Sequence, residues 1–463
     1  MSNLVKNLYS KRIMLVAICS SLSGLLFGYD AGIISGSILF MKDFFYLSTW
    51  EVSVVVSVVP FGAMLSALFS GYFSDLYGRK KLLYFSSICF IIGTLFCYVA
   101  ISFNTLVIGR IIIGFAIGIG SCISPVYTSE LSNREQRGQL VNLFVLSVQI
   151  GVFISFTIGY LLSNSGNWQL MIMIGIIPAI LFLFGIIFLD ESPRWLVLKE
   201  KSQQAETVLR KFHTLEETEN IIKDIKSTID TNKATLQSII EQPRLLKVIA
   251  VGVIISVFTQ TVGINAFNYY APTIFQSTGF AKPSQSTFYT MLMGLSLVLS
   301  TFSSLFYIDK IGRRKPLIFG TIAIIIILAS IVLGFSFITN NLLLGSLFFV
   351  CSVLFMIVHG LSIGPACFLI PSEVFPNKIR GLGMGVSITT NWLSNVIIAA
   401  LIPFILDYLG TSVLFAIFLI LTIIGLVLFI CFIPETKGAS LENIEKNILA
   451  DVALKDIGGK NCQ

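Results

Sequence analysis

The chain has 463 residues, of which 55% are hydrophobic and only 12% are charged, and its formal net charge is +7. A soluble protein usually carries about 25% charged residues, so this composition excludes an ordinary soluble domain. Apolar runs long enough to cross about 30 Å of hydrocarbon recur along the chain. Because they contain glycine and lack strict two-residue alternation, they argue against a membrane β-barrel and predict an all-α membrane protein.

Twelve apolar segments predict membrane-spanning helices, six before and six after a polar segment. They cover residues 13–40, 52–73, 82–102, 106–128, 139–163, 169–190, 246–275, 287–308, 317–338, 342–370, 382–406 and 411–433. The first run is long and many spans follow it, so we expect it to be retained rather than removed as a signal peptide.

The polar segment at 193–244 separates the two sets of spans and is nearly charge-balanced. Ser192 followed by Pro193 is typical of a helix start. Ile221, Ile222 and Ile225 recur at helical spacing, which predicts short amphipathic helices on the cytoplasmic ends of the spans. A solvated linker and a regulatory docking site remain as alternatives.

The loops predict how the chain is oriented. One set of connections is basic, and it contains Arg79, Lys80, Lys81, Arg134, Arg137, Lys310, Arg313, Arg314, Lys315, Lys378 and Arg380. The opposite set contains little beyond Lys42 and Lys282. Because cytoplasmic loops carry the excess of Lys and Arg, both termini are predicted to be cytoplasmic. The outward loops contain no N-glycosylation sequon, which favours a bacterial inner membrane.

Two charged motifs occur twice in the same order. "DLYGRKK" at 75–81 matches "DKIGRRK" at 309–315, and "SELSNREQRG" at 129–138 matches "SEVFPNKIRG" at 372–381. The offsets are 234 and 243 residues. This repeat predicts two pseudo-symmetric six-helix bundles. The predicted divisions are 1–192 for the first bundle, 193–244 for the linker, 245–436 for the second bundle and 437–463 for a cytoplasmic tail.

The repeated motifs place acidic and basic groups at the cytoplasmic ends of spans. We predict that these groups form ion pairs between the bundles that close the inner mouth and separate when it opens. An exposed pair contributes only about 0–1 kcal/mol, so a network is required. The predicted network contains Asp75, Arg79, Glu130, Arg137, Asp309, Arg313, Glu373 and Arg380. The alternative is solvated loop charge that only sets topology.

Asp30, in "FGYD", lies inside the first span, and Arg110 lies inside the fourth. At about 1.5 Å per residue, both fall in the outer half of the membrane. A lone charge near the bilayer centre costs about 2.5–3.5 kcal/mol on insertion scales, so a pair of opposite charges offsets much of that cost. A permanent structural salt bridge and a switchable proton site both fit these positions.

Several motifs together resemble the sugar porter family of the major facilitator superfamily. They are "DLYGRKK", "PVYTSEL", "DESPRWL", "QTVGIN" with "YYAP", "DKIGRRK", "SEVFP" and "PETKGASLENIE". The resemblance implies the major facilitator fold, alternating access and one central sugar site. At "FGYD" the chain is similar to bacterial proton-coupled, xylose-type members of the family. This implies a proton-coupling role for Asp30, with Arg110 as its partner.

The resemblance also implies a set of substrate contacts. The matching residues are Phe27, Gln260, Asn265, Trp392 and Asn395, with Tyr269 and Tyr270 as an outer gate. Amide groups and aromatic faces are the groups that bind sugar hydroxyls and rings. The "VGIN" stretch is suited to a locally broken helix. For each of these residues, helix packing is the alternative role.

Other family contacts are replaced here. Val145 and Thr259 stand where the family has Gln, Leu297 where it has Asn, and Phe368 where it has Trp. Gln149, one turn after Val145, is a candidate substitute, and Phe368 remains a candidate contact. The pocket is therefore predicted to be more apolar than that of a typical glucose or xylose porter. His359 fits either a packing role or a role in proton coupling.

The leading hypothesis is a proton-coupled symporter that imports a sugar or polyol. A passive sugar uniporter and a non-transporting sugar sensor are the alternatives. We expect no enzyme, because the spans lack a cluster of His, Asp or Glu. We also expect no direct ATP drive, because the chain has no Walker-type phosphate loop. The eight cysteines show no paired spacing, so we expect no disulfide framework, metal or cofactor. The expected partners are the sugar, protons and the lipid bilayer, with no nucleic acid, and the expected state is a monomer.

Overall fold

The structure is a computed structural model that describes residues 3–132, 137–212, 214–229, 242–376, 379–437, 447–448 and 452–457. Within these residues the secondary structure is helical, without β-strands. Four predicted site residues have side chains outside the described part of the chain. They are Arg137, Asp309, Phe368 and Arg380.

The first bundle and the linker contain the first ten helices of the described chain. The bundle helices are α1 (Asn3–Phe45), α2 (Thr49–Tyr77), α3 (Arg79–Tyr98), α4 (Phe103–Leu131), α5 (Arg137–Leu161), α6 (Trp168–Met173) and α7 (Ile176–Ile187). The linker helices are α8 (Pro193–Leu198), α9 (Ser202–Leu209) and α10 (Leu215–Ile229). Ser192 caps α8 through its side chain, which accepts from the Trp195 N–H, as the sequence predicts.

The second bundle contains eight helices. They are α11 (Pro243–Thr261), α12 (Ile264–Gln276), α13 (Pro283–Ile311), α14 (Arg314–Phe337), α15 (Asn341–Leu361), α16 (Ile363–Val374), α17 (Arg380–Tyr408) and α18 (Thr411–Phe432). A short 3₁₀ helix follows at Leu454–Asp456. Together with the first bundle, these helices provide 12 stretches long and apolar enough to cross a membrane, which confirms the predicted number of spans.

Two spans of the second bundle are interrupted. The seventh span breaks between α11 and α12, where Gly263 has a φ of 101° in the left-handed region that glycine adopts readily. The predicted break at "VGIN" is therefore confirmed. The tenth span breaks between α15 and α16 at Ser362, whose φ of −129° and ψ of −67° do not continue the helix. Interrupted spans are characteristic of transporter binding sites.

The bundles meet along three pairs of helices, α1 with α12, α2 with α17 and α5 with α13. We call the end of the bundles that carries Arg79 and Arg313 the basic end, and the other the opposite end. At the basic end, open space surrounds Gly71 of α2 and both Gly381 and Gly385 of α17. The same two helices are in contact near the opposite end, as described below.

Candidate functional site

The predicted pair of charges forms in the interior of the first bundle. The Arg110 guanidinium donates a hydrogen bond from Nη1 to Oδ1 of Asp30, and the two residues are 1% and 4% exposed. Nε of Arg110 also donates to the Val55 carbonyl oxygen, at 3.4 Å. The ion pair thus joins α1 to α4, while the second contact attaches the guanidinium to α2. If one partner of a fully buried pair is removed, the other charge stays buried without a countercharge, which lowers the stability of the folded protein.

The ion pair lies in the wall of a central cavity between the bundles. Phe27 precedes Asp30 by one helical turn, so both side chains of α1 reach the same cavity. From the second bundle, Tyr269 of α12 and Trp392 of α17 complete the lining, and the rings of Phe27 and Trp392 are 5.2 Å apart. The cavity volume is about 10 Å³, close to the space of one water molecule. In this conformation the side chains of the central site therefore pack against one another and leave almost no free volume.

The predicted amides of the second bundle are connected across the break in the seventh span. Asn265 donates from Nδ2 to Oε1 of Gln260 at 2.8 Å, and Gln260 donates from Nε2 to Oδ1 of Asn391 at 3.0 Å. Asn391 in turn donates to the Ser256 carbonyl oxygen at 3.3 Å. Sequence reasoning missed Asn391, although it directly precedes Trp392. In the closed conformation these amides satisfy one another.

Of the other predicted gate and contact residues, some meet one another and some lie outside the cavity lining. Tyr269 donates from its hydroxyl to Oδ1 of Asn395 at 3.2 Å, so these two predicted residues meet. Tyr270 is buried away from the cavity, and Gln149 of α5 is half-buried and is not part of the cavity lining. The Thr259 hydroxyl donates to the Ile255 carbonyl oxygen of its own helix.

The charged residues at the basic end form ion pairs within each bundle. In the first bundle, Nε of Arg79 is 3.0 Å from Oε2 of Glu130, and Nη1 is 3.1 Å from Oδ1 of Asp75. In the second bundle, Nη2 of Arg313 is 2.9 Å from Oε1 of Glu373. Each of these described pairs joins residues of one bundle, so the predicted pairs between the bundles stay a prediction.

Each arginine is held by a second carboxylate that the sequence reasoning missed. Oε1 of Glu191 accepts the N–H groups of Arg79 and Lys80, at 2.9 and 3.1 Å. Glu435 accepts the corresponding N–H groups of Arg313 and Arg314, at 3.0 and 3.2 Å. A carboxylate at a helix N-terminus satisfies free donors and complements the helix dipole. The missed signal was the further repeat of "ES" and "ET", 244 residues apart.

The turn that precedes each arginine requires glycine. Gly78 and Gly312 both have a φ of 102°, a conformation that side chains with a Cβ rarely adopt. A Cβ would also lie 2.2 Å from Glu191 at Gly78 and 2.6 Å from Glu435 at Gly312. The glycine of the repeated motif therefore allows the capping carboxylate to reach the helix N-terminus.

Hydroxyl groups connect the two bundles near the opposite end. Pro403 in α17 has no N–H to donate to the carbonyl of Ala399, four residues earlier. The Tyr270 hydroxyl donates to that oxygen at 3.3 Å. The next carbonyl, of Ala400, accepts from Ser53 of α2 at 2.7 Å, which is a contact between bundles. We call the contacts between α2 and α17 at this end the seal; they are the Ser53–Ala400 bond and the two contacts described next.

Two further contacts of the seal lie closer to the helix ends. Thr49 donates from Oγ1 to Oδ2 of Asp407 at 2.5 Å. The rings of Trp50 and Phe404 are 6.4 Å apart. Because α2 contributes one partner and α17 the other in both, the opposite end is closed between the bundles.

Two six-helix bundles around a central charged cavity, with contacts between the bundles that close one end, define a membrane transporter of the alternating-access type. Residues 16–448 match the model of the family described as "Sugar (and other) transporter", and the chain belongs to this family.

The relatives cover almost the whole chain. The galactose-proton symporter of Escherichia coli K12 is 32% identical over 97% of this chain and 97% of its own length. The glucose transporter GlcP of Staphylococcus epidermidis is 33% identical over 93% and 96%. A solved structure of the xylose transporter XylE from E. coli, in a partially occluded inward-open conformation, has a TM-score of 0.81 at 25% identity. It covers 92% of this chain and 99% of XylE.

Proposed function

We propose that this protein is a symporter that imports a sugar or polyol together with protons, by alternating access and without an enzymatic step. The observation that carries the proposal is the buried Asp30–Arg110 pair in the wall of the central cavity. The names of the relatives, which include sugar-proton symporters, support the same assignment. An ionisable pair at membrane depth is expected to have a functional role.

The proposed role of Asp30 is to couple protons to the conformation of the site. Burial favours the neutral carboxylic acid, whereas the Arg110 guanidinium favours the carboxylate. When Asp30 takes up a proton, Arg110 loses its countercharge, and the link between α1 and α4 weakens. Because Phe27 lies one turn away on α1, the change reaches the side of the cavity where a sugar ring would stack. One charge moving through 100 mV gains about 2.3 kcal/mol, which is available for uphill uptake.

The substrate groups are proposed to bind between Phe27 and the amides of the second bundle. Gln260, Asn265, Asn391 and Asn395 now bond one another or Tyr269. Sugar hydroxyls can replace these partners, because they donate and accept as the amides do. Trp392 faces Phe27 across the cavity and provides a second aromatic surface. The break at Gly263 allows α12 to move relative to α11 as the site opens and closes.

The basic end is proposed to face the cytoplasm, in agreement with the distribution of Lys and Arg in the loops. Both termini are then cytoplasmic, and the seal closes the outer side. We further propose a monomer in a bacterial cytoplasmic membrane, surrounded by lipid. The proposed divisions remain two bundles at 1–192 and 245–436, joined by the linker at 193–244 and followed by a tail at 437–463.

The test is uptake into proteoliposomes of galactose, glucose, xylose, arabinose and myo-inositol, with and without an inward proton gradient. Asp30→Asn is expected to abolish uphill uptake while preserving exchange of substrate. Asp43→Asn is the matched control, because Asp43 is an exposed acid on the same helix. Uphill uptake by Asp30→Asn would contradict the proton role. Sugar uptake without proton flux in the unmodified protein would indicate a uniporter.

A further inference from the structure

Pro60 leaves one backbone acceptor of α2 without its helical donor. The residue lies inside α2 and has no N–H, so the carbonyl oxygen of Val56, four residues earlier, receives no hydrogen bond from position 60. Val56 and Pro60 are both buried, and both line the central cavity with Asp30 and Arg110. Buried backbone acceptors are nearly always paired. A donor from another helix is therefore expected to pair with this oxygen in some conformation of the protein.

The second bundle contains a comparable proline, and there the freed oxygen is paired. Pro403 of α17 frees the Ala399 carbonyl, and the Tyr270 hydroxyl donates to it. No side chain in the described part of the chain makes the corresponding bond to the Val56 carbonyl. This acceptor in the cavity wall is therefore available to a side chain that changes its partner.

Arg110 supplies donors at this turn of α2. Its Nε donates to the Val55 carbonyl oxygen at 3.4 Å, one residue before Val56. The backbones of α2 and α4 are close here, since a Cβ on Gly114, one turn after Arg110, would lie 2.4 Å from the Val59 carbonyl oxygen. A guanidinium has five N–H donors, and the described bonds of Arg110 use only Nη1 and Nε. Donors therefore remain for a second carbonyl of α2.

Protonation of Asp30 changes which acceptor the guanidinium prefers. The carboxylate is the strongest acceptor, because a hydrogen bond between ionised groups is stronger than one to a neutral group. Once Asp30 is neutral, Arg110 is a buried charge without a countercharge, which is strongly destabilising. The other titratable groups near Asp30 are those of Tyr29, Cys97 of α3 and Tyr269 of α12, which are hydroxyls and a thiol. The carbonyl groups of α2 are then the acceptors that remain beside the guanidinium.

We propose that the Val56 carbonyl oxygen, left free by Pro60, accepts the Arg110 guanidinium when Asp30 is protonated. The inference rests on the proposed proton-coupled transport and extends it. Asp30 takes its proton from the medium, Arg110 stays protonated throughout, and only hydrogen bonds are exchanged. Pro60 is then a positioning residue, because it acts through the acceptor that it exposes.

The exchange links the proton site to the seal. Ser53, whose hydroxyl donates to the Ala400 carbonyl oxygen of α17, precedes Val56 by one turn on the same side of α2. Arg110 holds this part of α2 from within the first bundle, whereas Ser53 bonds it to the second. A stronger bond from Arg110 draws α2 toward its own bundle, so protonation of Asp30 is expected to favour the open seal. With the seal on the outer side, the protonated site opens toward the side from which the sugar enters.

The experiment measures the seal directly and needs no substrate. Asp30→Asn replaces the carboxylate by a neutral group of the same shape, and Pro60→Ala restores an N–H that can bond the Val56 carbonyl. Distance distributions between spin labels at the exposed positions 46 and 409 are recorded for each change and for both together, in a variant without native cysteines. Asp30→Asn is expected to raise the ratio of open to closed seals by about tenfold, the effect of one hydrogen bond to a charged group. Pro60→Ala is expected to remove most of that increase.

Two controls separate the hydrogen bond from the bend that a proline causes. Pro125→Ala removes the proline inside α4, which does not line the central cavity, and should leave the effect of Asp30→Asn unchanged. Lactic acid at position 60, which has neither the ring nor an N–H, should restore the effect that Pro60→Ala removes. Loss of the effect with lactic acid at position 60 would overturn the proposal, because the bend and not the carbonyl would then be responsible.

An effect of Asp30→Asn that persists in Pro60→Ala would also overturn the proposal, as would the absence of any effect of Asp30→Asn alone. If Asp30→Asn does not fold, the distances are recorded for the unmodified protein and for Pro60→Ala in acidic and alkaline buffer. Acid should then raise the open population in the unmodified protein and much less in Pro60→Ala, and an equal rise would contradict the inference. Uptake by the unmodified protein tests the proposed function separately, since it involves neither change.

Discussion

Removing the hydroxyl of Ser53 isolates one bond of the seal. Ser53 is 2% exposed, and its hydroxyl donates to the Ala400 carbonyl oxygen across the two bundles at 2.7 Å. Ser53→Ala deletes this bond with little change in volume. Ser70→Ala is the matched control, because Ser70 is also buried on α2 but donates to the Ser66 carbonyl oxygen of its own helix. Only the first change acts on the contact between bundles.

The expected size of the effect follows from the value of one neutral hydrogen bond. Its net contribution is about 0.5–1.5 kcal/mol. The bond exists when the opposite end is closed and is broken when the bundles separate there. Since about 1.4 kcal/mol corresponds to a factor of ten, Ser53→Ala is expected to raise the ratio of open to closed opposite ends by about two- to tenfold.

The assay is a distance distribution between spin labels at positions 46 and 409, in a variant without native cysteines. Tyr46 of the first bundle and Leu409 of the second bundle both lie at the opposite end, and they are 91% and 59% exposed. Ser53→Ala should increase the long-distance population relative to Ser70→Ala. Identical distributions for the two variants would refute the conclusion that this bond holds the seal.

Two predictions concern stability. Gly28→Ala is expected to prevent stable folding, because a Cβ would lie 1.8 Å from a backbone oxygen of α5. Gly71→Ala is the control and should be tolerated, because no atom lies within 4 Å of the added Cβ. Expression levels and size-exclusion profiles in detergent measure the effect of both changes. Glu435→Gln is expected to lower the thermal unfolding temperature, because it removes a negative charge from the N-terminus of α14, next to Arg313. The interaction of this charge with the helix dipole contributes about 0.3–1 kcal/mol to the free energy of unfolding. Glu206→Gln, in an exposed pair, is the control, and an equal shift in both would contradict the capping role.

The basic-end motifs illustrate where sequence reasoning reached its limit. The repeat identified Arg79 and Arg313 and their acidic neighbours, because a duplicated pattern is visible along the chain. It did not show which carboxylate each arginine contacts. Glu130 and Glu373 lie within the same bundles as their arginines, so the pairs stabilise each bundle rather than joining the two. That choice depends on the relative positions of whole helices, which no local pattern records.

The sequence by itself determined the twelve spans, and it predicted the two repeated halves and the pairing of Asp30 with Arg110. Hydropathy and repetition are local properties, and a charge inside an apolar run is conspicuous without any structure. Only the tertiary structure decided that the ion pair borders a cavity with Trp392, and that Ser53 meets a carbonyl near Pro403. These contacts join residues hundreds of positions apart, so their geometry follows from how the bundles pack and not from the spacing of residues along the chain.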